Sequence, residues 1–452
     1  MTGLWFEQAL LPMGWAHRVA VDLAPDGTIA GVVPGIPDPQ GRERHGIALP
    51  GLPNLHSHAF QRAMAGLTER QEQPNDTFWS WRGLMYRFAG RIDPDAMEAI
   101  AAFAYMEMLE AGFTRVGEFH YLHRQPDGSE YDAPAIMAQA LASAAAQSGI
   151  ALTLLPVFYA SGDFGGSAPS PEQRRFISTL DSYASLLDAS DAALAGLEDA
   201  VLGVAPHSLR ATPLADLRHL PRLRSNAPVH IHIAEQQREV DACLAWSGRR
   251  PVELLLDNAE VDARWCLVHA THLDPGERKR VAASGAVVGL CPITEANLGD
   301  GIFPVAEFLG EGGRFGIGSD SNVRIDAAAE LQLLEYGQRL VRQARNVTAI
   351  PGPSTGRSLF DHALAGGARA LGQPCQGIAV GAPADMVSLR ASSVDLVARE
   401  GDALLDSWIF ARAQVDNVWR RGRMCVSGGH HRNRDAIERK YKEVVTGILE
   451  AG

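Results

Sequence analysis

The chain has no run of about eighteen apolar residues, so its sequence predicts no membrane-spanning helix. Its N-terminus lacks a basic segment followed by an apolar core, so no secretory leader is expected. Positive charge is also short. The 41 Lys and Arg stand against 53 Asp and Glu, a formal net charge of −12. That argues against a general basic surface for nucleic acid or anionic lipid, and an anionic small molecule would need a local cluster of Arg. Cysteine is scarce. Cys243, Cys266, Cys291, Cys375 and Cys425 are scattered, odd in number and form no CxxC. A disulfide framework is therefore not expected, and a reducing cytoplasm fits. A GxGxxG or P-loop after the first buried strand is missing too, which weakens a nucleotide-binding reading.

What is present is ordinary globular composition, with 46% hydrophobic and 21% charged residues over 452 positions. The 45 glycines suit a fold with many tight strand–helix turns. Residues 1–46 read as short strands, with Asp26-Gly27 as a hairpin turn. From Gly46 onward eight apolar runs follow: Ile47–Leu55, Gly112–Phe119, Ile150–Tyr159, Val201–Ala205, Pro228–Ala234, Trp265–His269, Ala286–Cys291 and Phe315–Gly318. Helix candidates lie between them: Pro94–Glu110, Pro134–Gln147, Pro171–Leu187, Pro213–Leu223, Arg238–Trp246 and Pro275–Ala283. Several carry Pro in the first turn, where its missing N–H costs little. Buried strands alternating with helices predict an α/β fold, a (β/α)8 TIM-type barrel over 47–372. The competing topology is a doubly wound open sheet. Strands are expected again in 373–452, at Met386–Leu389 and across Gln414–Val426 with a hinge near Arg421-Gly422, before a polar tail and a terminal helix. These should join 1–46 in a small discontinuous β-sandwich domain.

Chemistry concentrates at strand ends. His56-Ser57-His58 closes the first run, and residues i and i+2 of a strand face one side. His232 ends the fifth run, His269 the sixth, and Asp320 follows the eighth. A lone strand-end His is more often a hydrogen-bonded structural residue than a ligand. Four strands ending this way at one mouth predict a mononuclear metal site of imidazoles and a carboxylate, with room for water. Such a metal lowers the pKa of its water toward neutrality. His230 lies one step deeper and reads as core, and His272 lies past the strand end. Glu235, three residues after His232, is either a surface or capping carboxylate or a proton shuttle to a leaving amine. No Lys ends the fourth strand to bridge a second metal; Ala205-Pro206-His207-Ser208 stands there instead.

These residues resemble the amidohydrolase superfamily across nearly the whole chain, and the His232-x-x-Glu235 spacing resembles its deaminase branch. The resemblance implies zinc, one per subunit, held by His56, His58, His232 and Asp320, although such donors also accept iron or manganese. It implies proton transfer by Glu235, orientation of the attacked centre by His269, and acceptance of the water proton by Asp320. It implies substrate binding by Gln61, Arg82, Tyr121, His207 and Arg210. Leu55–Arg62 and Ala205–Arg210 point within that branch to hydrolytic deimination of N-formimino-L-glutamate, a step of histidine degradation. That substrate has two carboxylates, which Arg82, in the long loop after strand one, and Arg210 are suited to grip. A surface Arg is the bland reading of each, and a packed loop aromatic that of Tyr121. The alternatives are a deaminase of a purine, pterin or triazine ring, and a metal-free scaffold that kept the fold. Family habit implies a homodimer.

Overall fold

A computed structural model describes residues 3–71 and 76–450. Strands Gly3–Leu11 and Gly14–Leu23 form an antiparallel hairpin, and Ile29–Val33 adds beyond the Asp26-Gly27 turn. Gly27 sits at φ +81 and Asp26 accepts the Thr28 N–H at 3.0 Å, as the turn signal requires. Glu43–Pro50 runs parallel to the first strand and antiparallel to Met386–Leu389. Val415–Arg420, Arg423–Ser427 and His430–His431 complete one eight-stranded sheet from both ends of the chain.

The sequence predicts a sandwich here. The strands instead follow a single sheet order, because Glu43–Pro50 joins the N-terminal and C-terminal strands edge to edge. The sheet curls until Thr28 bridges Pro383, and it encloses its own small core of Phe6, Val19, Val21, Met386 and Trp419.

The apolar run Ile47–Leu55 is two strands, not one. Glu43–Pro50 belongs to the curled sheet, and Leu52–Ser57 opens a parallel set. Gly51 is the joint. A Cβ there would lie 2.2 Å from Thr114 Cγ2, so only glycine lets the chain turn this close to the next parallel strand. A division at 46/47 therefore falls inside a strand.

The parallel strands follow in sequence order: Leu52–Ser57, Phe113–His120, Ala151–Phe158, Val201–Leu202 with Ala205–Pro206, Val229–Ile233, Trp265–His269, Val287–Leu290 and Arg314–Ile317. Bridges Val204–Val229 and Ser208–His232 carry the pairing from the fourth to the fifth, and Ser57–Asp320 brings the eighth back to the first. Several of these strands are buried at every position, as parallel strands covered on both faces must be. The fourth is split at Gly203, where a Cβ would meet Leu155 at 2.4 Å.

Helix Pro94–Glu110 has the predicted bounds, with Asp93 accepting the Ala96 N–H and Pro94 in the first turn. Two other predicted helices differ. Over Pro171–Leu187 the chain makes a short turn at Pro171–Gln173, and the helix starts only after the Thr179–Ser182 capping box, running Leu180–Leu194. Over Pro213–Leu223, Pro221 lacks the N–H that would continue a helix, and two short turns result. The C-terminal helix Arg434–Glu450 lies on Pro94–Glu110, with Tyr441 stacked on Phe103 at 4.0 Å. Among the described residues no helix is long and apolar enough to cross a membrane.

Helix Thr355–Ala370 presses directly on the last parallel strand. A Cβ on Gly366 would stand 1.8 Å from the Phe315 carbonyl oxygen. Gly366→Ala is therefore expected to lower unfolding free energy by about 1–3 kcal/mol. Gly447→Ala, on an exposed helical position with open space, is expected to raise it by up to about 1 kcal/mol. Denaturant titration of both variants checks this, and a Gly366→Ala protein as stable as its parent would contradict the close approach.

Candidate metal centre and its cavity

His56 and His58 end the first parallel strand, and Asp320 lies just past the eighth. Backbone pairing locks them together: the Asp320 N–H donates to the His56 carbonyl at 3.0 Å, and the His58 N–H to the Asp320 carbonyl at 2.9 Å. The chain leaves the eighth strand with Asp320 at φ +46, a left-handed conformation rarely adopted by a non-glycine residue. Ser319 and Asn322 hold that turn. Ser319 Oγ donates to Asn322 Oδ1 at 2.6 Å, Asn54 Nδ2 donates to Ser319 Oγ at 2.6 Å, and Asn322 Nδ2 donates to the His58 carbonyl at 3.1 Å.

Four side chains converge as a result. His56 Nε2 and His58 Nε2 are 3.2 Å apart, and His58 Nε2 and His232 Nε2 3.3 Å. Asp320 Oδ1 lies 3.4 Å from His56 Nε2 and 3.2 Å from His58 Nε2. One ligand atom from each lies within 4.8 Å of all the others. The outer nitrogens of two rings are committed: His58 Nδ1 donates to the Phe119 carbonyl at 2.9 Å and His232 Nδ1 to the His207 carbonyl at 3.1 Å. Those tautomers turn unprotonated Nε2 lone pairs inward.

Burial pushes His56 down to about 3 and His232 well below its usual value, so these imidazoles are neutral. Burial alone would push the Asp320 carboxyl up; the His56 and His58 rings that face it hold it well below its usual range. Three convergent imidazoles and a carboxylate suit a divalent cation such as zinc.

His269 and Glu235 stand beside this centre. His269 Nε2 is 3.8 Å from Glu235 Oε1 and 3.8 Å from Asp320 Oδ2, and its Nδ1 faces Glu295 Oε1 at 3.2 Å. Burial works against the His269 charge, but Glu235, then Glu295 and Asp320, lift it well above the ordinary histidine value. Burial pushes the Glu235 carboxyl up to about 7, against the pull of His269. His230 faces away and bonds the Ala370 carbonyl at 2.7 Å, as a core residue. His272 bonds the Asp300 carbonyl at 2.8 Å.

A cavity opens above these groups, with His58, His232, Glu235, His269 and Asp320 among its lining residues. Gln61, Arg82, Tyr121, His207 and Arg210, all predicted to bind substrate, line it too. Gln61 Nε2 donates to the Tyr121 hydroxyl at 2.9 Å. Arg82 is not on a loop: it belongs to helix Phe78–Ala89, which Thr77 and Ser80 cap reciprocally. That capping box was readable in the sequence. Arg82 Nε donates to the Tyr86 hydroxyl at 2.5 Å, and the guanidiniums of Arg82 and Arg210 lie 5.2 and 5.5 Å from the Trp79 ring centre. Among the described residues neither arginine forms an ion pair, and Arg210 is 8% exposed with an unpartnered Nε. A buried, unpaired guanidinium is costly unless an anion completes it. Phe78, Trp81, Tyr86, Tyr159 and Phe176 form an aromatic wall that was not legible in the sequence, because its residues are dispersed and carry no spacing signal.

The sequence pattern of the amidohydrolase family matches residues 47–425, and the chain belongs to that family. It is 50% identical to the formimidoylglutamate deiminase of Pseudomonas aeruginosa, an alignment covering all of both chains. An 8-oxoguanine deaminase of Pseudomonas aeruginosa is 29% identical over 68% of this chain and 67% of its own. Among solved structures, an amidohydrolase from Brucella melitensis superposes with a TM-score of 0.97 at 51% identity, covering 99% of this chain and 100% of that one. An adenosine deaminase from Xanthomonas campestris shares the fold, with a TM-score of 0.81 at 22% identity over 99% of this chain and 98% of its own.

Loading the protein with zinc is expected to give about one ion per chain. His232→Ala should drop that stoichiometry toward zero, while His230→Ala should keep it. Elemental analysis after gel filtration reads the difference, and equal zinc in His232→Ala and parent would remove the site from these residues.

Proposed function

We propose that this chain is a zinc-dependent hydrolase that converts N-formimino-L-glutamate and water to N-formyl-L-glutamate and ammonia, as a step of histidine degradation. The observation that carries the reading is the pair of unpaired arginines, Arg82 and Arg210, lining the same cavity as the His–Asp cluster. A substrate with two carboxylates completes both guanidiniums. The full-length likeness to a formimidoylglutamate deiminase supports it.

In this reading the parallel set is a closed (β/α)8 barrel reaching to about residue 372, and the site occupies the C-terminal ends of its strands. Residues 1–50 and 373–452 are the accessory β unit and terminal helix. His56, His58, His232 and Asp320 hold the zinc; iron or manganese suits the same donors. When bound there, the ion supplies Lewis acidity that brings the pKa of a water toward neutrality.

The protein groups do the rest. Arg82 and Arg210 hold the substrate carboxylates, with Gln61, Tyr121 and His207 supplying polar contacts around the formimino group. Asp320 takes a proton from the attacking water, whose oxygen bonds to the formimino carbon. His269 orients that carbon and steadies the charge that develops there. Glu235 hands a proton to the departing nitrogen. As the adduct's hydroxyl gives up its proton and re-forms the carbonyl, both protons of the water end on the departing nitrogen, the carbon–nitrogen bond breaks and ammonia leaves.

All five cysteines are free and four are buried, which supports a reducing cytoplasm. Leu340 and Val341, exposed on helix Ala327–Arg342, support self-association as a homodimer.

The zinc-loaded protein is expected to release ammonia from N-formimino-L-glutamate. Arg82→Met and Arg210→Met should each raise KM about 10- to 100-fold, the loss of a charge-assisted contact worth about 1.5–3 kcal/mol. Glu235→Gln should cut kcat by about 10²- to 10⁴-fold. Coupled ammonia assays measure all three. Turnover of a purine, pterin or triazine that survives both arginine changes would replace the diacid with a ring substrate.

A further inference from the structure

Glu295 is a buried carboxylate that the reaction above leaves unused. It lies in the short helix Pro292–Leu298 after the seventh parallel strand and is 5% exposed. Its Oε1 lies 3.2 Å from His269 Nδ1 and accepts the Cys291 backbone N–H at 2.8 Å. His269 itself is 1% exposed and ends its strand at φ +65. One ring nitrogen faces Glu295, and the other faces Glu235 and Asp320.

We propose that Glu295 is a positioning residue: it takes the Nδ1–H of His269 and thereby presents Nε2 to the reacting centre. That Oε1 already acts as an acceptor, taking the Cys291 N–H, so the proton on the shared edge belongs to Nδ1. That bond fixes the tautomer and the plane of the ring. The fixing matters because His269 and Ala270 are both left-handed non-glycine residues at a strand end, a conformation that persists only where surrounding contacts hold it. The charge beside Nδ1 also favours the imidazole when it takes on positive character during the reaction.

A purely architectural use competes with this, since Glu295 also closes the strand–helix junction through Cys291. Both contacts use the same oxygen, so Glu295→Gln keeps an acceptor for each N–H and removes only the charge, while Glu295→Ala removes both contacts. An amide oxygen still accepts the Cys291 N–H but carries no charge to His269.

The catalytic part of the inference rests on the deiminase reading; the hydrogen bond does not. The experiment therefore has two readouts on zinc-loaded, full-length protein. In steady-state assays with N-formimino-L-glutamate, Glu295→Gln should lower kcat about 10- to 100-fold, with KM within about twofold and zinc content unchanged. In proton spectra, a downfield imidazole N–H resonance should be present in the parent, absent in His269→Asn, lost in Glu295→Ala and displaced in Glu295→Gln. Persistence of that resonance in Glu295→Ala overturns the proposal. So does a zinc-replete Glu295→Ala protein that melts earlier yet turns over at the parental kcat. If the parent releases no ammonia while the resonance depends on Glu295, the substrate reading fails and the pairing stands.

Discussion

The backbone pairing of the first and last parallel strands is the constraint on which the site depends. Two hydrogen bonds, between Asp320 and the backbones of His56 and His58, set three of the four convergent side chains before any of them rotates. The fourth, His232, arrives through the bridge between its own backbone and Ser208. A cluster built on strand pairings is stiffer than one built on loops, because moving one ligand means breaking a ladder. The Asn54–Ser319–Asn322 bonds then support the left-handed turn at Asp320, so a locally unfavourable backbone is held by its surroundings.

Charge is distributed in the cavity by the same economy of water. Removing solvent keeps His56 and His232 neutral, the form in which an imidazole can bind a metal. It also raises Glu235 to about 7, so that one carboxyl can both give and take a proton near neutrality. The positive charge that the chain as a whole lacks is gathered at one place, Arg82 and Arg210 beside Trp79. A net charge of −12 would repel an anion, and the two guanidiniums that line the cavity offset that locally.

Much of this was legible in the sequence, and what was not has physical reasons. The eight apolar runs announced themselves because strands covered on both faces read as continuous hydrophobic segments. The convergent His–Asp cluster was legible because strand-end histidines and an aspartate recur at one point of that pattern. The split of Ile47–Leu55 was missed because hydrophobic periodicity ignores a single glycine, while the fold turns on what Gly51 avoids at Thr114. Helix starts at Pro171 and Pro213 were misplaced because proline marks a first turn without supplying the bonds that continue it. Glu295 was missed for a different reason. A carboxylate one turn into a short helix carries no motif, and its relation to His269 exists only across two strands in space.

The joint at Gly51 has a consequence for how the chain is made. Strand Glu43–Pro50 runs straight into the first parallel strand, and its other edge is completed only by Met386–Leu389. Leu49 and Val387, near opposite ends of the chain, are neighbours in one sheet. Pairings of such long sequence separation form late, because loop closure must come first. During synthesis Glu43–Pro50, which leads into the segment bearing His56 and His58, therefore emerges with an open strand edge, and that edge stays unpaired until Met386–Leu389 has left the ribosome.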